Sequence, residues 1–176
     1  MNLSITLIIV LVTVAISLYA SENQDLKRKF LLNPYQVHNQ KQFYRVISHA
    51  FIHADFMHLG VNMYVLYSFG TNLEKTFVTI FGDIGLVYFV ALYIGGIIFA
   101  SLLSLQKHKD NPGYNSLGAS GAVSAVLFAS ILIIHLVNYC CLESFQLWHF
   151  FLVFYILDTK CMRIKKDVPI LHMTLI

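Results

Sequence analysis

The sequence has few charged residues for its length. Only 12% of its 176 residues are Asp, Glu, Lys or Arg, whereas 57% are hydrophobic. Soluble domains carry roughly 25% charged residues, about twice this share. A chain of this composition cannot cover a water-facing surface with polar groups. Its length is sufficient for one compact domain, and we expect that domain to lie in a lipid bilayer.

Cysteines are also scarce. Cys140, Cys141 and Cys161 show no C-x-x-C spacing and are odd in number, which argues against a disulfide framework or a zinc site. His49 and His53 could suggest a metal centre, but the sequence has no H-E-x-x-H pattern and no acidic residue at a suitable ligand spacing. We therefore expect neither a metal nor a cofactor.

The basic residues do not indicate nucleic-acid binding. The formal net charge is +3, and the basic run at residues 27–29 follows directly on an apolar segment. Such a run is typical of a membrane-flanking cluster that contacts lipid headgroups. The lipid bilayer is therefore the expected partner of this surface, and no nucleic acid is expected.

Long apolar runs take the place of the missing charge. Residues 3–20 carry no charge and are long enough to cross a bilayer as a helix. They lack a preceding basic region and a clear small-x-small cleavage site, so we interpret them as a transmembrane helix rather than a signal peptide. Other expected elements are a short buried helix at 57–69 and crossings at 82–105, 117–137 and 145–157, with Gly95 and Gly96 permitting close helix approach.

The expected fold is all-α, a multi-pass transmembrane helical bundle. Backbone groups in lipid must pair within their own segment, and the sequence shows no alternating pattern of barrel strands. We expect three regions: a first transmembrane helix at 1–20, a core at 21–137, and a divergent C-terminal segment at 138–176.

A serine among small residues is the first candidate for chemistry. Gly118, Ala119 and Gly121 surround Ser120 at the start of an expected crossing. Small neighbours let a substrate or another backbone approach the hydroxyl closely. The same pattern is common where membrane helices pack together, so helix packing is the alternative interpretation.

Two polar residues stand four positions apart in an apolar segment. His58 and Asn62 would therefore share one helix face. Polar residues inside a membrane are costly and usually face an interior cavity. The pair offers hydrogen-bond donors of the kind that an oxyanion hole needs. A structural pair that holds helices together is the alternative.

Together these motifs resemble the rhomboid family of intramembrane serine proteases. The resemblance extends from about residue 33 to residue 130, and it rests on the order and spacing of its parts. They are Asn33-Pro34-Tyr35, Tyr44-Arg45, His49, His53, the H-x-x-x-N of residues 58–62, Leu73-Glu74-Lys75 and the G-x-S-G of residues 118–121.

The resemblance implies an activity and a set of roles. Ser120 would be the nucleophile at the top of a short helix, and His58, Asn62 and the Ser120 N–H would hold the oxyanion. Arg45 would lie in a membrane-embedded loop after the first helix, and Glu74 would be a structural polar residue that closes the second helix. The substrate would be a transmembrane segment of another membrane protein.

The general base of the family is missing. The family supplies it from a sixth helix, as a histidine in an Ala-His-x-x-Gly setting, and this sequence has no such motif. His135, His149 and His172 lack the position or the small neighbours, and none is assigned. Losing the base of a serine protease costs about 10⁶ in turnover. A catalytically inactive rhomboid-like protein that binds transmembrane helices is therefore the alternative function.

A single-base deletion near codon 134 is our hypothesis for this break, because the motif resemblance ends after Ile133. If residues 133–136 are encoded as ATA ATC CAT TTA, one added A gives ATA AAT CCA TTT, which encodes Ile-Asn-Pro-Phe. In the same frame, residues 170–176 can become Ile-Thr-Tyr-Asp-Ala-His, the start of the missing motif. Residues 138–176 would then be out-of-frame sequence.

An unrelated transporter or channel subunit is a further interpretation. It should show paired interrupted helices in two halves, or charged residues within its crossings, and neither is present.

The orientation in the membrane depends on two signals that disagree. The resemblance puts the amino terminus inside and the loop that contains Arg45 outside. The positive-inside rule favours the reverse, because basic residues are concentrated in that loop. We follow the resemblance because it rests on many ordered motifs.

Overall fold

The structure is a computed structural model that describes residues 4–137, with side chains to residue 133. Its elements are α1 (Ile5–Glu22), α2 (Gln24–Phe30), α3 (Pro34–Gln40), α4 (Arg45–Ser48), α5 (Phe56–Phe81), α6 (Ile84–Lys107) and α7 (Ser120–Val137). A 3₁₀ turn, His49–Phe51, follows α4. Within this part of the chain the extended pairing is limited to one isolated bridge between Leu32 and Ser116. The predicted all-α fold is confirmed.

The four long helices form one bundle. Helix α5 packs against α1, α6 and α7, and α6 also packs against α7. Ser17 of α1 bonds residues just before α5, whereas Ser4 bonds Glu74 near the far end of α5. The C-terminus of α1, the N-terminus of α5, the C-terminus of α6 and the N-terminus of α7 therefore lie together. We call this the Ser120 end of the bundle.

Helix α5 is longer than the sequence suggested. The Asp55 side chain caps its start by accepting a hydrogen bond from the His58 N–H at 2.7 Å. It ends at Gly82, whose φ of +65° is in the region that favours glycine. The prediction of a short helix at 57–69 is wrong, because no glycine or proline stop acts before Gly82.

Helices are present at three of the other predicted crossings, with shifted ends. The run at 3–20 becomes α1 because Ser4 accepts from the Leu7 N–H and caps the helix there. The run at 82–105 becomes α6, and the run at 117–137 becomes α7 with a start three residues later. Helices α2 and α3 lie in the polar stretch where no helix was predicted. The predicted crossing at 145–157 lies outside the described residues.

Helix α1 buries small and polar residues, and both α1 and α6 expose large apolar ones. Leu11 of α1 is 57% exposed, and Leu103 of α6 is 76% exposed. Only 22% of each of these helices is buried, whereas the core helix of a soluble protein is mostly buried. Both are long and apolar enough to cross a membrane. This inverted pattern indicates a membrane protein whose outer surface faces lipid. The buried positions of α1 are Thr6, Thr13, Ser17 and Ala20.

Glycines set the close contact between α6 and α7. A methyl group added at Gly96 would lie 2.9 Å from the Cα of Ala122, and one added at Gly121 would overlap Ala100. Such contacts bring backbones together where lipid provides no hydrophobic drive for packing. The expected close approach is confirmed at Gly96, whereas Gly95 faces open space.

Candidate active site

Ser120 is the first residue of α7 and is half-buried. The turn before it is built around Gly118, whose φ of +109° favours glycine. The Gly118 N–H donates to the His49 carbonyl at 2.9 Å. A methyl group added at Gly118 would lie 2.8 Å from Cε1 of His58. The small residue at 118 therefore allows both the turn and the approach of the His58 ring, whereas Gly121 serves helix packing.

A polar cavity of about 100 Å³ adjoins Ser120. Such a space can hold several water molecules when polar partners are present. The hydroxyl of Ser120 thus stands beside a compartment where a hydrolytic water could be held. The polar residues that line the cavity are His49, Ser101, Ser104, Ser116 and Ser120.

His58 and Asn62 lie one turn apart on α5. Asn62 is 2% exposed, and its Nδ2 donates to the His58 carbonyl at 2.8 Å. Its Oδ1 has no hydrogen-bond partner among the described residues. The structure therefore brings His58 to the turn before Ser120, while the Asn62 donor is held within its own helix. This bond uses one of the two N–H donors of Nδ2, and the second N–H remains for another acceptor.

His53 links three parts of the bundle. Its Nδ1 lies 2.9 Å from the Ser17 hydroxyl on α1, and its Nε2 accepts from the Ala119 N–H at 3.4 Å. Its ring is T-shaped to that of His58, with centroids 5.1 Å apart. Burial, helped by nearby His58, lowers the pKa of His53 to about 3, although Asp55 acts in the opposite direction. His53 is therefore neutral at neutral pH.

Sequence reasoning missed Ser17 altogether. It placed His53 among the family motifs but assigned it no partner. A signal was available in the spacing of the polar residues of α1. Thr13 follows Thr6 by seven residues and Ser17 follows Thr13 by four, so all three share one helix face. Polar residues of a membrane helix tend to face the interior of the bundle.

Arg45 is a buried cation that holds the end of α2. Its Nη1 donates to the carbonyls of Arg28 and Leu31, each at 2.9 Å. Its Nε donates to Oε1 of Gln42 at 2.6 Å, and its guanidinium carbon lies 5.4 Å from the centre of the Tyr44 ring. Arg45 therefore anchors the loop after the first helix. Glu74 lies at the opposite end of the bundle from Ser120, where it bonds the start of α1.

The histidines near the site have separate partners. His49 Nδ1 lies 3.0 Å from the Arg45 carbonyl, and its Nε2 lies 3.5 Å from the Ser101 hydroxyl. Within residues 4–137 no group of three His, Cys, Asp or Glu side chains could hold a metal ion.

The described part of the chain provides no general base for Ser120. Its hydroxyl makes no hydrogen bond within residues 4–137. His149 and His172 lie outside the described residues, as does the side chain of His135. Among the described side chains, Ser120 therefore has no hydrogen-bonded base.

Comparison with known proteins identifies relatives of this arrangement. The model of the Rhomboid domain family matches residues 40–170, a range that continues beyond Ile133, where the motif resemblance ends. Rhomboid protein 1, mitochondrial, from Saccharomyces cerevisiae is 41% identical over 88 residues, which are 47% of this chain and 22% of that protein. RHOMBOID-like protein 12, mitochondrial, from Arabidopsis thaliana is 26% identical over 125 residues, 60% of this chain and 35% of that protein.

A third relative shows the same partial coverage. Presenilin-associated rhomboid-like protein, mitochondrial, from Rattus norvegicus is 36% identical over 81 residues, 46% of this chain and 20% of that protein. The chain thus matches between 20% and 35% of the length of these relatives. No solved structure matches it significantly.

Proposed function

The chain belongs to the rhomboid family, and from this premise we propose that it is an intramembrane serine endopeptidase. Its substrates would be transmembrane segments of other membrane proteins. The observation that carries this proposal is the turn at Gly118, which lies against the ring of His58 and opens α7 with Ser120 beside a polar cavity. Helix packing alone needs no such turn.

The proposed chemistry follows from this geometry. The Ser120 oxygen attacks the scissile carbonyl as a general base takes its proton, and the charge that develops on the carbonyl oxygen needs donors. The C–N bond then breaks, the amine leaves with that proton, and water hydrolyses the resulting serine ester. The Ser120 N–H is available because the first N–H groups of a helix have no partner within the helix. His58 lies against the same turn, and the second N–H of the Asn62 amide can add a third donor while the first stays on the His58 carbonyl.

The chain is proposed to be a multi-pass integral membrane protein, with α5 and α7 crossing the bilayer beside α1 and α6. The names of the relatives place those proteins in mitochondria, and we propose a mitochondrial membrane for this chain. A reporter fused between α2 and α3 tests the orientation. A signal from the side that holds the amino terminus would overturn the proposed placement of the Arg45 loop.

We propose that the general base of the family is a histidine that this chain has lost through deletion of one nucleotide near codon 134. The coding sequence at that codon is the direct check. The chain as written and a frame-restored chain, extended by its downstream sequence, are then compared in membranes against a reporter transmembrane substrate. The written chain should show background cleavage, and the restored chain should show cleavage that Ser120→Ala abolishes.

The second candidate is an inactive rhomboid-like protein that binds transmembrane helices. It is favoured by the missing Ala-His motif and by the absence of a hydrogen-bonded base for Ser120 within residues 4–137. Photocrosslinking of the reporter segment without cleavage, by the restored chain as well as the written one, would support this function. Robust cleavage by the written chain would exclude it, and would mean that another histidine reaches Ser120.

A further inference from the structure

We propose that Ser17 of α1 is a positioning residue for Ser120, acting through His53 and Ala119. The inference rests on the proposed role of Ser120 as a nucleophile. It concerns a helix that contributes none of the residues assigned to the chemistry. Four groups form one chain of hydrogen bonds: the Ala119 N–H, the His53 ring, the Ser17 hydroxyl and the Phe51 carbonyl.

The two ends of this chain have only one possible role each. The Ala119 backbone N–H can only donate, and it points at Nε2 of His53 at 3.4 Å. The Phe51 carbonyl can only accept, and it lies 3.0 Å from the Ser17 hydroxyl. Nε2 of His53 must therefore be without a proton, and the single proton of Ser17 is directed to Phe51.

These roles assign the proton on the ring. A neutral imidazole carries one N–H, and since Nε2 is the acceptor, the proton lies on Nδ1. Nδ1 then donates to the Ser17 oxygen at 2.9 Å. The order is Ala119 N–H to His53, His53 to Ser17, and Ser17 to the Phe51 carbonyl. Every group is used once, and Ser17 is the acceptor that the His53 Nδ1–H requires.

This order matters because Ala119 immediately precedes Ser120. The two residues before the nucleophile are each tied to the segment between α4 and α5: the Gly118 N–H to the His49 carbonyl, and the Ala119 N–H to His53. His53 and Ala119 are both buried, so water cannot readily replace the lost partner. Without Ser17, the buried Nδ1–H loses its acceptor, and a ring that turns to find another one moves Nε2 away from the Ala119 N–H.

The groups around His53 are consistent with a neutral ring. His58 packs edge-on against it, and a second positive charge there would be repelled. Asp55 is the acidic residue nearby, but its side chain accepts from the His58 N–H at the start of α5. Burial lowers the pKa of His53 to about 3, so Ser17 acts on the orientation of a neutral ring at neutral pH and not on its charge.

The test uses two measurements on the chain in detergent. Nitrogen and carbon NMR of the histidine rings, with His53→Gln for assignment, identifies which ring nitrogen carries the proton. The rate at which a fluorophosphonate labels Ser120, measured in the frame-restored chain because the chain as written lacks a base for this hydroxyl, reports the position of the nucleophile. Ser17→Ala removes the hydroxyl, Ser17→Thr retains it, and Ser21→Ala removes an exposed hydroxyl on the same helix that bonds only the Leu18 carbonyl.

We expect the Nδ1–H tautomer in the unmodified chain. In Ser17→Ala we expect a changed Nδ1–H resonance because its hydrogen bond is lost, together with a labelling rate reduced by about 10-fold or more, since small misplacements of reacting groups are costly. Ser17→Thr and Ser21→Ala should retain both signals. An Nε2–H tautomer in the unmodified chain would overturn the proposal. So would unchanged spectra and labelling in Ser17→Ala.

The two measurements separate this proposal from the proposed function. If Ser120 is not labelled in any variant, the nucleophile assignment fails, yet the tautomer still decides whether Ser17 orients His53. If Ser17→Ala does not accumulate, the tautomer of the unmodified chain and of Ser17→Thr gives the answer.

Discussion

The carboxylate of Glu74 accepts two hydrogen bonds from Thr6, one from its backbone N–H at 2.9 Å and one from its hydroxyl at 2.7 Å. The Ser4 hydroxyl and the Ile5 N–H also bond this carboxylate, at 2.7 and 2.9 Å. A side chain of α5 thus satisfies N–H groups that the start of α1 cannot pair by itself. Glu74 is therefore an anchor for α1 at the end of the bundle opposite Ser120.

Glu74→Ala should loosen α1 from the bundle. Hydrogen bonds to a charged group are stronger than neutral ones, and we expect a loss of about 2–4 kcal/mol in the free energy of unfolding. Glu74→Gln should be intermediate because it retains an acceptor. Denaturant titration in detergent measures the effect. Lys75→Ala, at the next and exposed position, is the control. Equal losses in the alanine variants at 74 and 75 would show that the anchor is unimportant.

Gly118→Ala should damage the turn that opens α7. The φ of +109° costs an L-residue about 1–3 kcal/mol, and the new methyl group would lie 2.8 Å from the His58 ring. We expect lower stability and at least a 10-fold slower labelling of Ser120, in line with the cost of small misplacements. Gly95→Ala is the matched control, since its methyl group meets nothing within 4 Å. A similar response of both variants would contradict the geometry.

Asn62→Ala should lower turnover more than stability if the amide stabilises the oxyanion. Removing one such donor costs about 10²–10³ in turnover. The assay is cleavage per molecule by the frame-restored chain, with membrane extraction as the check on insertion. Asn72→Ala provides the control, because Asn72 makes the same type of bond to the carbonyl four residues earlier but is exposed. Loss of accumulation with normal activity per molecule would identify Asn62 as structural.

Acid should destabilise the bundle through His53. Its pKa is about 3 in the folded protein and about 6.5 when exposed. Between these values the unfolded chain binds the extra proton, so stability should fall as the pH decreases from about 6.5 towards 3. Thermal unfolding across this range is the measurement. His53→Gln should flatten the dependence, whereas His38→Gln, at an exposed position, should not. An unchanged slope in His53→Gln would contradict the neutral ring.

The sequence by itself determined the environment and the class of this protein. Low charge and long apolar runs indicate a lipid environment. In lipid, backbone groups must pair within their own segment, which requires helices. It also determined that small residues surround Ser120 and that His58 and Asn62 share one face of a helix, because helical spacing alone places residues four apart together. These are properties of short segments, and they survive in any arrangement of the bundle.

Only the tertiary structure decided which distant groups meet. Ser17 and His53 are 36 residues apart, and Thr6 and Glu74 are 68 apart. Their contacts depend on the rotation of α1 about its axis, which no local pattern specifies. The start of α7 at Ser120, rather than three residues earlier, likewise depends on the Gly118 turn. That turn is held from outside α7 by the His49 carbonyl, which lies before α5, and by the His58 ring, which belongs to α5. Its physical cause is therefore packing between elements.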